Sequence, residues 1–218
     1  MLQIIPADKP DNTFFVSDTH FGHKNILNYC PNRQRWASTI EEMDEKLIAA
    51  WNSVVGKWDV VLHLGDFALV RGEEMERYIK RLNGVIVLVK GNHDRCTNTK
   101  YREAGIASIV KSHFFSFAGI PLFCIHSPHH DDLSVKSLFP PGADYPEFLF
   151  HGHTHGLSRP DAYRDANGIR GFDVGIDAMC TTLNPGAVPA PITLRKAVEY
   201  ATNYGKNLVQ SQEEETGV

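Results

Sequence analysis

Short apolar runs punctuate the chain, and each gives way at its carboxyl end to aspartate, histidine or asparagine. TFFVS leads to Asp18 and His20, VVLHLGDF carries Asp66, and VIVLVKGN ends at Asn92 with His93 and Asp94 beyond it. PLFCIHS contains His126, and FLFHGHTHG holds His153 and His155. Runs this short are read as buried strands. Between the first two, TIEEMDEKLIAAWNSVV places Met43, Leu47, Ile48 and Trp51 at spacings of three and four. Acidic residues near its start and Thr39 as amino-terminal cap complete the prediction of an amphipathic helix. GEEMERYIKRLNG predicts a second helix closed by Gly84, and TKYREAG a short third one. Strand, helix, strand, helix, strand implies a parallel core with crossover helices.

Beyond that core the pattern changes. SHFFSF and PLFCIHS flank Ala118 and Gly119, which predicts a hairpin and an antiparallel portion. The proline-bearing stretch from Ser127 to Tyr145 is expected to be a surface loop at a functional rim. Residues 148–151 and the segment GFDVGID predict further strands, with a polar loop expected earlier through PNRQR. After NPGAVPAP, TLRKAVEYA reads as a closing helix. One domain over residues 1–210, followed by a frayed acidic tail at 211–218, is the organisation expected.

At 218 residues and 42% apolar composition the chain can bury one sizeable core. The net charge of −4 and dispersed basic residues lack the footprint of a dedicated nucleic-acid binder. Cys30, Cys96, Cys124 and Cys180 show no CxxC spacing, which argues against a zinc knot or disulfide framework and leaves them as small buried hydrophobes in a reduced cytoplasm. The amino terminus lacks a basic stretch followed by a long apolar one, and no run approaches the roughly 18 apolar residues of a membrane span. A cytoplasmic protein without membrane contact is expected.

Loops at the carboxyl ends of parallel strands converge on one crevice. The strand-end residues therefore form one constellation: Asp18, His20, Asp66, Asn92, His93, Asp94, His126, His153 and His155. Oxygen and imidazole donors without thiolates suit manganese, iron or zinc, and they are too many for one tetrahedral ion. Two ions about 4 Å apart are implied, with Asp66 the natural bridge because a carboxylate has two oxygens. His63, inside an apolar run, reads as a satisfied core histidine, and His129, His130 and His151 as solvated or supporting residues. Phe21, Phe67 and Phe139 read as packing residues.

DTH, GD, GNHD, His126 and GHTH follow the order DxH, GD, GNH(D/E), H, GHxH, and the chain from Asp18 to His155 thereby resembles the calcineurin-like metallophosphoesterase superfamily. The opening DTHFGHKNIL is similar to a small bacterial and phage branch of predicted phosphoesterases, which adds His23 to the pocket. The resemblance implies an α/β four-layer sandwich: two mixed β-sheets flanked by helices, with a dinuclear site at the loop edge. It implies one ion on Asp18, His20, Asp66 and His155 and a second on Asp66, Asn92, His126 and His153. The ions would be two divalent or trivalent metals among manganese, iron, zinc and nickel. Ile125 stands where the family often has glycine before the fourth ligand, and GDFALVRG sets Arg71 one position later than the related VDRG pattern and lacks its aspartate.

Two divalent ions against two carboxylates leave about two positive units, attractive to a phosphoryl anion. A hydroxide bridging the ions would attack phosphorus in line, with His93 as general acid and Asp94 fixing the His93 tautomer. His23, Arg33, Arg35 and Arg95 are the candidate substrate contacts: guanidinium groups, Arg71 included, can clamp phosphate oxygens, with a plain surface arginine the alternative for each of the four, and a cap on the helix beginning near Asn25 is the alternative for His23. Phosphodiesters, nucleotide-derived or cyclic, are the expected substrates. A phosphomonoesterase, a nuclease acting on short single strands and a non-catalytic binding module on the same scaffold are the alternatives. The expected partner is a small-molecule or nucleotide phosphoester; longer nucleic acid is disfavoured, and oligomeric state is left open.

Overall fold

The computed structural model describes residues 8–128, 146–156, 162–164, 169–182 and 187–203. Its first sheet contains β1 (Thr13–Val16), β2 (Val60–His63), β3 (Val85–Val89), β4 (Ser108–Val110) and, at the other end of the chain, β10 (Ile192–Thr193). The order is β10-β1-β2-β3-β4, with β1 to β4 parallel and β10 antiparallel to β1. The second sheet contains β5 (Ser112–Phe117), β6 (Ile120–Ile125), β7 (Phe148–His151), β8 (Ala162–Arg164) and β9 (Arg170–Asp173), in the order β5-β6-β7-β9-β8. β6, β7 and β9 run parallel, while β5 and β8 are antiparallel edges. Two mixed sheets with flanking helices make this an α/β fold, as expected.

Parallel neighbours need a crossover, and the helices supply it. Helix α1 (Ile26–Tyr29), a 3-10 turn (Pro31–Arg35) and α2 (Ile40–Val54) connect β1 to β2. α3 (Glu73–Arg81) connects β2 to β3, and α4 (Asn98–Ala104) connects β3 to β4. The expected face of α2, Met43, Leu47, Ile48 and Trp51, is buried. Thr39 caps it, its hydroxyl accepting the Glu42 amide at 3.1 Å. The buried core runs across both sheets: the Phe15 ring of β1 lies 5.1 Å edge-on to Phe150 of β7 and 6.3 Å from Phe115 of β5. Because the central strands are covered on both faces, their sequences are continuously apolar rather than alternating. Among the described residues no helix is long and apolar enough to cross a membrane.

Several local expectations are corrected. The polar loop through PNRQR is wound into the 3-10 turn, and the second helix ends at Arg81, with Gly84 lying in the turn that enters β3. GFDVGID is strand only to Asp173; after Gly175 the chain becomes helix α5 (Ile176–Thr182). The short strands β4, β8 and β10 offer too few residues to show a periodicity. The Ala118–Gly119 hairpin forms with both residues at positive φ, 51° and 81°, as a tight two-residue turn requires. The closing helix α6 occupies 194–203. Residues 129–145, which include His129, His130 and Phe139, and the tail at 211–218 lie outside the described residues.

Asp44 carries a pH-dependent part of this fold. It is 3% exposed, and its Oδ2 accepts the Gly22 amide at 3.1 Å and the Tyr78 hydroxyl at 2.6 Å, which anchors the loop after β1 to α2. Burial pushes its carboxyl up to about 6, against the lowering effect of those two hydrogen bonds. The folded protein thus binds more protons than the unfolded chain between about pH 4 and 6, so this contribution to stability is present at acid pH and is lost as pH rises through 6. Asp44→Asn keeps an acceptor without the charge. Its stability relative to the parent is expected to rise by up to about 3 kcal/mol between pH 4.5 and 8, read from urea midpoints. A difference that does not change with pH would refute the assignment.

Candidate metal centre

The carboxyl ends of β1, β2, β3, β6 and β7 meet at one edge of the two sheets. Beyond β1 and β2 the chains stay paired: the Asp18 amide donates to Gly65 O, that of His20 to Asp66 O and that of Phe21 to Phe67 O, each at 3.0 Å. Ser17 continues β1 into a bridge with Gly175, which follows β9, and so links one sheet to the other beside the site. Gly152, between His151 and His153, lies so close to the β1 loop that a β-carbon there would overlap Ser17 Oγ and Asp18 Oδ2. The His153 amide donates to Asp18 Oδ2 at 2.9 Å. Asp18, His20, Asp66, His153 and His155 all take left-handed φ values between 50° and 70°. Such a conformation costs a non-glycine residue about 1–3 kcal/mol and persists only where surrounding structure enforces it. Among the described residues, five of the six non-glycine positions with positive φ are candidate metal-binding residues, the sixth being Ala118 of the hairpin turn.

Two donor clusters result from the strand-end residues: Asp18, His20 and His155 form one, and Asp66, His126 and His153 the other, while Cys30 and Asp177 group with the same His155. His20 Nε2 lies 3.8 Å from Asp18 Oδ1 and 3.7 Å from Asp66 Oδ2, and His126 Nε2 lies 3.4 Å from that same Asp66 oxygen. Asp66 therefore stands between the clusters. Asn92 Oδ1, 3.0 Å from His126 Nε2, extends the second. All seven expected ligands are thus brought together. Asp18 Oδ1 and His20 Nε2 are buried with no hydrogen-bond partner among the described residues, an expensive state for polar atoms facing each other. A cation between them would satisfy both, and the oxygen and imidazole donor set fits a divalent first-row metal.

The electrostatics agree. Burial pushes the Asp18 carboxyl up to about 6, and burial with the nearby Arg33 charge pushes His20 down to about 2, so His20 presents a neutral imidazole. Burial opposes protonation of His126, but the hydrogen bond to Asp66 and the charges of Asp18 and Asp66 outweigh it and raise its pKa. Asp66 is correspondingly held below the usual carboxylate range. His126 Nδ1 donates to Leu64 O at 2.8 Å, which directs Nε2 toward Asp66 and Asn92. A metal ion would displace the protons that these groups hold without it.

Behind the two donor clusters lies a network that the sequence did not announce. Asp177, on α5, accepts from His155 Nδ1 at 2.7 Å, leaving His155 Nε2 to face Asp18. Arg33 is fully buried and donates to both Asp177 oxygens at 2.8 and 2.7 Å, and to the carbonyls of Asp18 and Thr19 at 2.7 and 3.1 Å. Arg33 is therefore not a substrate contact: every one of its nitrogens is committed inside the protein. Cys30 Sγ is 3.4 Å from the same His155 nitrogen, so this cysteine is a neighbour of the site as well as a buried hydrophobe. The segment IDAMC is too short and too apolar to mark Asp177; the one available sign was an acid set in an apolar stretch, which needs a partner if buried.

Asp94 is corrected too. Its carboxylate accepts the amides of Asp66 and Gly91 at 2.8 Å and of Phe67 at 3.1 Å, and the Tyr101 hydroxyl at 3.1 Å. It fastens the loops after β2 and β3 to each other and does not orient the His93 ring. The His93 amide donates to Asp66 Oδ1 at 2.8 Å, and its half-buried ring lies 5.6 Å from that of His20. The His23 ring is 5.6 Å from His20 on another side, with Nδ1 accepting the Asn25 amide at 3.2 Å, so this residue both adjoins the site and tethers its own loop. Arg95 is exposed beside His93, and Arg35 is exposed on the 3-10 turn. His63 is a satisfied core residue, bonded to the Thr19 hydroxyl at 2.9 Å and to the Gly65 amide at 3.2 Å. His151 is buried, with Nδ1 3.0 Å from Gly152 O.

Residues 12–204 match the calcineurin-like phosphoesterase superfamily domain. An uncharacterized protein of Methanocaldococcus jannaschii is 34% identical over 144 residues, covering 65% of this chain and 68% of that protein. The gene 66 protein of Mycobacterium phage L5 is 33% identical over 192 residues, covering 77% of this chain and 87% of that protein. Among solved structures, a protein of unknown function from Aquifex aeolicus shares the fold with a TM-score of 0.58 at 21% identity, covering 86% of this chain and 97% of that one. The matched span takes in every strand end that contributes to the two donor clusters, and this chain belongs to the calcineurin-like phosphoesterase superfamily.

Proposed function

We propose that the chain hydrolyses phosphodiesters at this centre, with two metal ions held on the two donor clusters and His93 protonating the leaving group. The observation that carries the reading is the position of Asp66, whose Oδ2 is within 3.7 Å of His20 Nε2 and 3.4 Å of His126 Nε2, one from each cluster. When bound, such a metal pair supplies Lewis acidity toward phosphoryl oxygens and acidifies water. Asp18, His20, Asp66 and His155 would hold one ion, and Asp66, Asn92, His126 and His153 the other; manganese, iron, zinc and nickel all suit these donors.

The chain's own residues do the rest. His20 stays neutral because it is buried beside Arg33. His93 is attached through its amide to Asp66, while its ring remains half-exposed where a leaving oxygen can reach it. General acid catalysis by such a group contributes about 10²- to 10⁴-fold. His93→Ala is therefore expected to lower kcat by that factor on a diester with an alkyl leaving group, and far less on bis(4-nitrophenyl) phosphate, whose leaving phenolate needs no proton. Equal losses on both substrates would remove His93 from that role. With added manganese, bis(4-nitrophenyl) phosphate should be cleaved faster than 4-nitrophenyl phosphate; the reverse order would make the protein a phosphomonoesterase, and inactivity toward both would favour a binding module.

A further inference from the structure

The loops after β2 and β3 enclose a cavity of about 250 Å³ beside the metal centre, lined by Leu69, Val70, Arg71, His93, Arg95 and Tyr101 among others. Its walls are of two kinds. Tyr101 is buried with its hydroxyl spent on Asp94, so it offers the cavity ring carbon, and Leu69 stays 40% exposed at the mouth. Arg71 and Arg95 are exposed, and neither side chain forms an ion pair or hydrogen bond with any described residue. Among the described residues no acidic side chain lines the cavity. The nearby carboxylate, Asp94, is buried beneath it with both oxygens already bonded. Lys90 lies outside the lining, its ammonium 5.7 Å from the Tyr101 ring and donating to Cys96 O at 2.9 Å. In a chain of net charge −4, two unpaired guanidinium groups around an apolar floor form a place for an amphipathic organic anion.

Which end of the substrate enters follows from His93, which lines the same cavity. We infer that the cavity is the leaving-group subsite, built for an alcohol that carries its own oxyanion, phosphate or carboxylate, gripped by Arg71 and Arg95. The inference rests on the phosphodiesterase reading. In the reaction the phosphorus–oxygen bond to that alcohol breaks, and water supplies the new oxygen on phosphorus and releases a proton. The departing oxygen takes its proton from His93, and the products are a phosphomonoester and the anionic alcohol.

Two measurements test it. Phenyl phosphate titrated into metal-free protein and followed by amide NMR should give saturable shifts at Leu69, Arg71 and Arg95, and Arg71→Gln/Arg95→Gln should weaken that binding about tenfold or more. In metal-loaded protein, three methyl aryl phosphates are compared whose nitrophenol leaving groups bear a carboxylate, a phosphonate or a neutral methyl ester. At least one anionic substrate should exceed the neutral one about tenfold in kcat/KM, and the double substitution should bring that ratio toward one. The two anionic arms tell phosphate from carboxylate recognition. Absence of shifts at these amides, or equal kcat/KM for all three substrates, would overturn the subsite. If no diester is cleaved at all, the phosphodiesterase reading falls, and the NMR titration alone decides whether the cavity binds anions.

Discussion

Asp66→Ala is expected to leave the protein folded but unable to retain its metal complement, and to lower diester cleavage by about 10³-fold or more. The size of the effect follows from what this one carboxylate does. Oδ2 stands between His20 of one donor cluster and His126 of the other, and Oδ1 accepts the His93 amide at 2.8 Å. Alanine removes the carboxylate that stands between the two clusters and the support for the His93 loop in a single step. The hydrogen bond that does most to raise the His126 pKa goes as well, leaving the charge of Asp18 and the Leu64 carbonyl to favour its proton. Asp66→Asn is the discriminating companion. Asparagine tolerates the left-handed backbone at φ 54° and keeps an acceptor for His93, so it should preserve stability while losing most metal affinity. Elemental analysis after gel filtration, paired with kcat, gives the answer. Two equivalents of metal in Asp66→Ala with activity within tenfold of the parent would dispose of the shared-ligand role.

The parallel half of the fold and the gathering of the strand-end donors were legible in the sequence for one physical reason: both are written in short contiguous words. A strand covered on both faces must be continuously apolar, so TFFV and VIVLV stand out, and the loops that leave such strands gather at one edge, so their polar residues can be pooled. What was not legible is pairing at long range. Arg33 and Asp177 are separated by 144 positions, and nothing local says that an arginine in PNRQR is interior. Asp94 misled because it adjoins His93 in sequence, yet the backbone turns between them and sends its carboxylate to three amides and a tyrosine. Adjacency along the chain suggested a catalytic pair; the demand of buried N–H groups for acceptors decided the matter otherwise. Asp177 sits in a seven-residue helix whose composition, IDAMCTT, gives no period to read.

Replacing Arg33 should disturb stability and metal binding together. Substituting methionine leaves the Asp177 carboxylate buried against His155 without its guanidinium, and removing one partner of a buried ion pair costs about 3–5 kcal/mol. It also releases the carbonyls of Asp18 and Thr19, which hold the β1 loop in its strained form. Arg33→Met is therefore expected to shift the urea midpoint sharply. It should also weaken metal binding at the Asp18, His20 and His155 cluster by about 10- to 100-fold, the usual scale for losing a residue that orients a metal-ligating histidine. Arg33→Lys should rescue little, because an ammonium cannot make the two parallel bonds to Asp177. The double variant Arg33→Leu/Asp177→Leu separates the two effects. Apolar replacement of a whole buried pair is often neutral for stability, so the midpoint should recover, while metal affinity stays low because His155 Nδ1 has lost its acceptor. Were Arg33 a phosphate clamp instead, Arg33→Met would raise KM at unchanged stability and unchanged metal content. That result would require a guanidinium able to leave an interior site where it makes four hydrogen bonds to oxygen, at 2.7, 2.7, 2.8 and 3.1 Å.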